Sequence, residues 1–277
     1  MTDVGTTPKN LKRGTVAMLG LPFDDGATFM RGPALAPTRI REVLHSGSAN
    51  LCAENGMDLE NEPRWRDAGD LALAPGTRAL AQIEAAVEGI VAAGGRVLSL
   101  GGDHSVTYPI LRAYARTFPD LSILHLDAHP DLYERYDGNR FANACPFARI
   151  MEEGLAARLL QGGIRTMNPH QRSQARRFGV TVIEMREWSL EKIVDLPGPI
   201  YLSLDMDVLD PAFAPGVSHH EPGGMTTREV LEIIQHLNAP LIGADIVEFN
   251  PRRDPTGITS MAAAKFVKEI VARMLVD

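Results

Sequence analysis

Cysteine is almost absent: the 277-residue chain contains only Cys52 and Cys145. Two cysteines provide neither a disulfide framework nor a thiolate zinc pattern, as expected of a chain that works in a reducing compartment. Long hydrophobic runs are missing too. No segment approaches roughly eighteen unbroken apolar residues, the length that crosses a bilayer, so no membrane partner is expected. The opening MTDVGTTPKNLK has no apolar signal-peptide core and too little basic charge for a transit peptide. Residues 1–14 therefore read as a flexible leader, and the expected compartment is the cytoplasm. Basic excess is also lacking. The formal charge of −7 disfavours a nucleic-acid partner and mildly favours a cationic ligand. Gly101-Gly102 begins neither a P-loop nor a dinucleotide-binding glycine pattern, which excludes the common nucleotide sites. No repeat, low-complexity tract or linker divides residues 15–277, which read as one domain.

What is present is an alternation of strand-like and helix-like segments, with 44% hydrophobic residues to fill a core. TVAMLG at 15–20, RVLSL at 96–100, LSILHLD at 121–127, YLSLDMD at 201–207 and LIGADIVEF at 241–249 read as buried strands. Between them, residues 77–94 step their apolar positions Leu80, Ile83, Val87, Ile90 and Val91 by three or four, which predicts a helix stopped by Gly94-Gly95. ITSMAAAKFVKEIVARML supplies a last helix. This order predicts a single-domain three-layer α/β/α fold around a doubly wound, mainly parallel sheet. The irregular stretches 22–36 and 208–225 are too long for plain connections and are expected to be functional.

Three segments place metal-ligand side chains where strands should end: GGDHS at 101–105, DAHPD at 127–131 and SLDMD at 203–207. In an open α/β sheet the crevice lies beyond the carboxyl ends of the strands, so residues distant in sequence can converge there. Asp127, His129 and Asp131 share one parity, and Asp205 and Asp207 another, so on an extended chain each set points one way. Side chains two residues apart sit roughly 7 Å apart, which suits two ions about 3.5–4 Å apart better than a single one. Four aspartates and two histidines without a thiolate form a hard, oxygen-rich set fitting Mn²⁺ better than structural zinc. Taken singly, an Asp after a strand is commonly a helix cap, and a buried His is commonly just hydrogen-bonded. Three clusters at three strand ends favour metal, because unpaired aspartates would repel one another.

With DIVEFNP at 245–251, these segments resemble the ureohydrolase family of arginases, agmatinases and their relatives, from about Leu19 through the last helix. FMRGPALAPTRIRE and GVSHHEPGG are most similar to the plant-type arginases. The resemblance implies a hydrolase of carbon–nitrogen bonds in linear amidines that cleaves an arginine-like or agmatine-like guanidino compound to urea and an amine. It implies one metal on His104, Asp127, Asp131 and Asp205 and a second on Asp127, His129, Asp205 and Asp207. The implied cofactor is two Mn²⁺, and the same ligands admit Ni²⁺ or another divalent transition metal. Water activated at the metals would attack the guanidinium carbon, with Asp131 carrying a proton to the departing amine and Glu248 pairing with the guanidinium. A homo-oligomer, trimer or hexamer, is implied as well, with a hetero-oligomer left open.

One position departs from the family pattern. The loop GNRFANACPFARI puts Asn143 where the family carries a histidine that shuttles protons or orients substrate. Asn donates and accepts hydrogen bonds but does not titrate near neutral pH, so Asn143 is expected to orient substrate only. Another histidine, His219 or His220, is a candidate to reach the substrate from the 208–225 loop. Three alternatives stay open: weakened activity on arginine or agmatine; another guanidine, such as guanidinobutyrate or a free or alkylated guanidine; or a low-activity subunit that needs a partner. His125 is expected only to pack in its strand, and Cys145, with no base assigned to it, to be an inert thiol.

Overall fold

The computed structural model describes residues 12–276. Most of the expected leader, residues 1–11, lies outside them, while Gly14 is already tied to the body by its N–H donating to the Gly94 carbonyl at 2.9 Å. Eight strands and eight helices then alternate: β1 (Val16–Gly20), α1 (Ala36–Leu44), β2 (Trp65–Asp70), α2 (Arg78–Ala92), β3 (Arg96–Leu100), α3 (Thr107–Ala115), β4 (Ser122–Leu126) and α4 (Pro146–Glu152). They continue with β5 (Arg158–Ile164), α5 (Pro169–Phe178), β6 (Thr181–Glu184), α6 (Leu190–Val194), β7 (Ile200–Asp205), α7 (Thr227–His236), β8 (Leu241–Val247) and α8 (Ile258–Val276). The strands form one sheet in the order β2-β1-β3-β8-β7-β4-β5-β6, and every pairing is parallel.

Two apolar layers cover the sheet, because alternate strand residues point to opposite faces. Val16 and Met18 of β1 join α1, α7 and α8 in one core, whereas Ala17 and Leu19 join α2, α3 and α4 in the other. All five expected strands are present. The three that periodicity did not reveal are β2 and β6, short edge strands with partly exposed residues, and β5, whose Gln161-Gly162-Gly163 interrupts an otherwise apolar run. The expected helix at 77–94 is α2, with all five of its stepping apolar residues buried.

The winding positions the site. After β3 the chain skips two places in the sheet to lay down β4, and β7 and β8 later fill the gap. GGDHS, DIVEFNP, SLDMD and DAHPD therefore leave the carboxyl ends of four adjacent strands, β3, β8, β7 and β4. This is the switch point at which open parallel sheets bind ligands.

Candidate metal centre

β4 ends at Leu126 and β7 at Asp205, so most of the candidate ligands lie beyond extended chain. The expectation that strand parity aligns them is corrected by the local geometry. Asp127 Oδ1 accepts the His129 backbone N–H at 2.6 Å, and Asp205 Oδ1 accepts that of Asp207 at 2.8 Å. Each aspartate thus folds the chain back over itself, so that residues two apart converge. Asp207 Oδ1 in turn accepts the Ala128 N–H at 3.1 Å, joining the two segments. Asp131 and Glu248 adopt left-handed backbone angles, φ 47° and 62°. That conformation is strained for residues other than glycine and is typically held only where the surroundings impose it.

His104 follows β3 and is 1% exposed. Its Nδ1 faces three carboxylate oxygens, Asp127 Oδ2 at 3.2 Å, Asp131 Oδ2 at 3.1 Å and Asp205 Oδ2 at 3.1 Å, yet makes no hydrogen bond. Its Nε2 lies 3.0 Å from Ser203 Oγ, and Ser203 donates to Asp245 Oδ1 at 2.7 Å. Asp245 is buried within β8 and also accepts from Thr107 and Tyr201 at 2.9 and 2.8 Å. Because the Ser203 proton goes to Asp245, Ser203 receives the Nε2–H of His104, so in the neutral imidazole it is Nδ1 that carries the lone pair. A lone pair and three carboxylate oxygens around one point repel one another, and a cation there reverses the repulsion. His129 Nδ1 makes a second such meeting point, 3.3 Å from Asp127 Oδ1 and 3.1 Å from Asp207 Oδ2. The six side chains therefore fit divalent ions.

Proton affinities report the same field. Burial alone would lower the His104 pKa, but Asp127, Asp131 and Asp205 hold it well above its ordinary value. His129 is likewise lifted to about 12 by Asp207 and Asp127 against the effect of burial. Asp205 is raised by burial and by the charges of Asp207 and Asp127, and Asp131 is raised to about 6 by burial and Asp127.

His125 is buried as expected and stacks on Phe147 with ring centres 3.9 Å apart. It does more than pack. Gln161 Nε2 donates to its Nδ1 at 2.9 Å, which leaves the Nε2–H to donate to Asp127 Oδ2 at 2.8 Å. His125, Gln161, Ser203 and Asp245 thus support the candidate ligands without having been read as doing so in advance. The available signal was a polar or charged residue inside an apolar strand. Cys145 is fully buried, and burial lifts its thiol to about 12, in line with an inert role.

A cavity of ≈ 210 Å³ opens over this cluster. The stretches 22–36, 133–147 and 208–225 each contribute to its wall, through Thr28, through Tyr133, Tyr136 and Asn143, and through His219. His220 does not join them: it binds the Pro215 carbonyl at 2.7 Å and lies beside Arg253. Thr166, Asn168 and Gln171, after β5, form a wall that the sequence did not announce. Glu248 is buried and lines the floor. Its Oε1 accepts from Asn143 Nδ2 at 2.8 Å and from the His104 N–H at 2.9 Å, while burial and the Asp103 charge raise its pKa to about 8. Asn143 Oδ1 accepts the Thr28 N–H at 3.1 Å, which fixes the amide's orientation.

The model of the Arginase family matches residues 14–272. The chain belongs to the arginase family. It is 43% identical to arginase 1, mitochondrial, of Arabidopsis thaliana over 95% of its own length and 82% of that protein. It is 35% identical to the agmatinase of Bacillus anthracis, covering 95% and 92% of the two chains. Proclavaminate amidino hydrolase from Streptomyces clavuligerus superposes with a TM-score of 0.88 at 32% identity, covering 97% of this chain and 93% of that one. This family member is thus a metal-dependent amidinohydrolase, acting on carbon–nitrogen bonds of linear amidines. Among the described residues, no helix is long and apolar enough to cross a membrane.

Proposed function

We propose that the cavity cleaves a guanidino compound of arginine or agmatine type to urea and an amine. Two Mn²⁺ would be held by His104, Asp127, Asp131 and Asp205, and by Asp127, His129, Asp205 and Asp207. The observation that carries this reading is the His104 Nδ1, which faces three carboxylates and, in the neutral tautomer set by the Ser203–Asp245 relay, presents its lone pair to them. Divalent ions bound there lower the pKa of water and supply a nucleophile near neutral pH.

The chain's own groups do the rest. The Glu248 carboxylate pairs with the guanidinium through charge-assisted hydrogen bonds and holds its carbon over the ligand cluster. Asn143 keeps Glu248 in place without titrating. Asp131, buried beside the meeting point of the ligands, would carry a proton to the departing amine. His219, paired edgewise with His129 at 5.6 Å between ring centres, contacts the substrate from the opposite wall. The same reading makes residues 15–277 one ureohydrolase domain working in the cytoplasm as a homo-oligomer, trimer or hexamer, with neither a nucleic-acid nor a membrane partner.

The test is urea release by the purified full chain, with and without Mn²⁺, over arginine, agmatine, guanidinobutyrate and simple guanidines. Release is expected only with a divalent ion, and a drop of at least about 10³-fold in Asp127→Ala, since removing a shared ligand disables both ions. Release that survives this change overturns the reading. Asn143 favours a second reading, a guanidine other than arginine and agmatine, and the same panel decides it. Robust turnover by the chain alone removes dependence on a partner, and substituting Ni²⁺ identifies the preferred ion.

A further inference from the structure

Arg165 follows β5 and is half-buried. Its guanidinium donates five hydrogen bonds, every one to a backbone carbonyl: Nε to Glu221 at 2.8 Å, Nη1 to Gly163 and Val208 at 3.2 Å each, and Nη2 to Asp207 at 2.6 Å and Leu209 at 3.3 Å. The planar fork of five N–H groups is thereby used up on main chain. Three of the carbonyls are consecutive, on the segment leaving β7 immediately after Asp205. A fourth, Glu221, lies two residues past His219. The backbone of Arg165 faces the other way: its N–H donates to the Ala128 carbonyl at 3.0 Å, between Asp127 and His129.

Neighbouring contacts reinforce this placement. Thr166 N–H also donates to Ala128, at 3.3 Å, and Asp127 N–H donates to Gly162 at 3.1 Å. Gly163, at φ 91°, packs so closely on Val208 and the Asp127 carbonyl that a Cβ there would collide. One residue thus touches both ligand-bearing segments, and the loop that carries His219, through bonds that only a guanidinium can make together.

We infer that Arg165 is a positioning residue for the metal centre, setting Asp207 and the His219 loop in register with Asp127 and His129. This rests on the reading of those residues as metal ligands. Arg165 touches neither an ion nor substrate; it acts by fixing the carbonyl of Asp207 and those of the segments that carry Asp207 and His219. A lysine at this position reaches fewer of the five carbonyls at once and restores only part of the effect.

The experiment uses the full chain as wild type, Arg165→Met, Arg165→Lys and, as control, Arg41→Met. Arg41 bonds Asp67 and Asp70 at the β2 edge of the sheet. Mn²⁺ titration by calorimetry is read beside thermal unfolding, and kcat and KM for urea release are measured on the best substrate. In Arg165→Met, Mn²⁺ binding is expected to weaken about 10- to 100-fold, as when partners that orient a ligand are lost, and KM to rise. Arg165→Lys should fall between. Arg41→Met should lower the melting temperature while leaving Mn²⁺ affinity unchanged. Wild-type Mn²⁺ affinity in both Arg165 variants overturns the proposal, whatever their melting temperatures. If Arg165→Met does not fold, Arg165→Lys carries the same comparison. A wild-type chain that binds no Mn²⁺ overturns the metal reading, and with it this inference.

Discussion

Asn143 donates to Glu248 at any pH, because an amide N–H is always present. A histidine in its place would vary with protonation and bring a proton of its own. Removing the donor in Asn143→Ala leaves Glu248 Oε1 with the His104 N–H alone. The expected cost is about 1–3 kcal/mol in holding the carboxylate, or roughly 5- to 150-fold in kcat/KM. Asn143→His is expected to change the pH profile of kcat, and an unchanged profile would show that this position neither carries nor gates a proton. Ser203 acts at one remove. Ser203→Ala frees the His104 imidazole to take the other tautomer, and Mn²⁺ affinity should fall about 10- to 100-fold, measurable by competition with a chelating dye.

Short turns at strand ends do what the strands do not. Neither Gly101 nor Gly102 has a left-handed backbone. What requires glycine at 102 is the close approach of another segment of the chain: a Cβ there would sit on the Phe23 carbonyl. That carbonyl accepts the Asp103 N–H, and the Gly102 carbonyl accepts the Glu248 N–H, each at 2.9 Å. The turn therefore couples the 22–36 stretch to β3 and β8. Gly102→Ala forces backbone to move and is expected to destabilise the chain by at least about 2–3 kcal/mol. Urea denaturation checks this through the midpoint at constant slope. The helix starts have a double use as well. Asn168 and Gln171 form the capping box of α5 and also line the cavity. The capping signature was readable, but its place in the wall depended on where β5 sits in the sheet.

At the scale of the whole molecule, the charge cluster links stability to metal and to pH. Between about pH 6.5 and 8, Glu248, raised to about 8, and His104 and His129, both raised, hold protons in the folded chain that the unfolded chain has released. Stability of the metal-free protein therefore falls as the pH rises through this window. A divalent ion held by the candidate ligands would displace the protons of His104 and His129 and stabilise the fold by mass action. Melting curves in chelator are expected to drop steadily from pH 6.5 to 8, and excess Mn²⁺ to raise and flatten the series. Metal-free melting temperatures that climb with pH would contradict the cluster's electrostatics.

The six candidate ligands and Glu248 were legible because their motifs are compact, and β1, β3, β4, β7 and β8 because their residues are buried on both faces and read as apolar runs. Family membership followed from the same short segments, and the comparisons bear it out. Sequence could not show that β3, β8, β7 and β4 lie side by side, since strand order depends on how crossovers pack and not on any local pattern. Nor could it show Ser203 and Asp245 behind His104, Gln161 behind His125, or Arg165 between the ligand segments. These contacts join residues up to 99 positions apart, as in His104 with Ser203. Local sequence determines which groups are available, and only the packing of parallel strands decides which of them share a proton or face one ion.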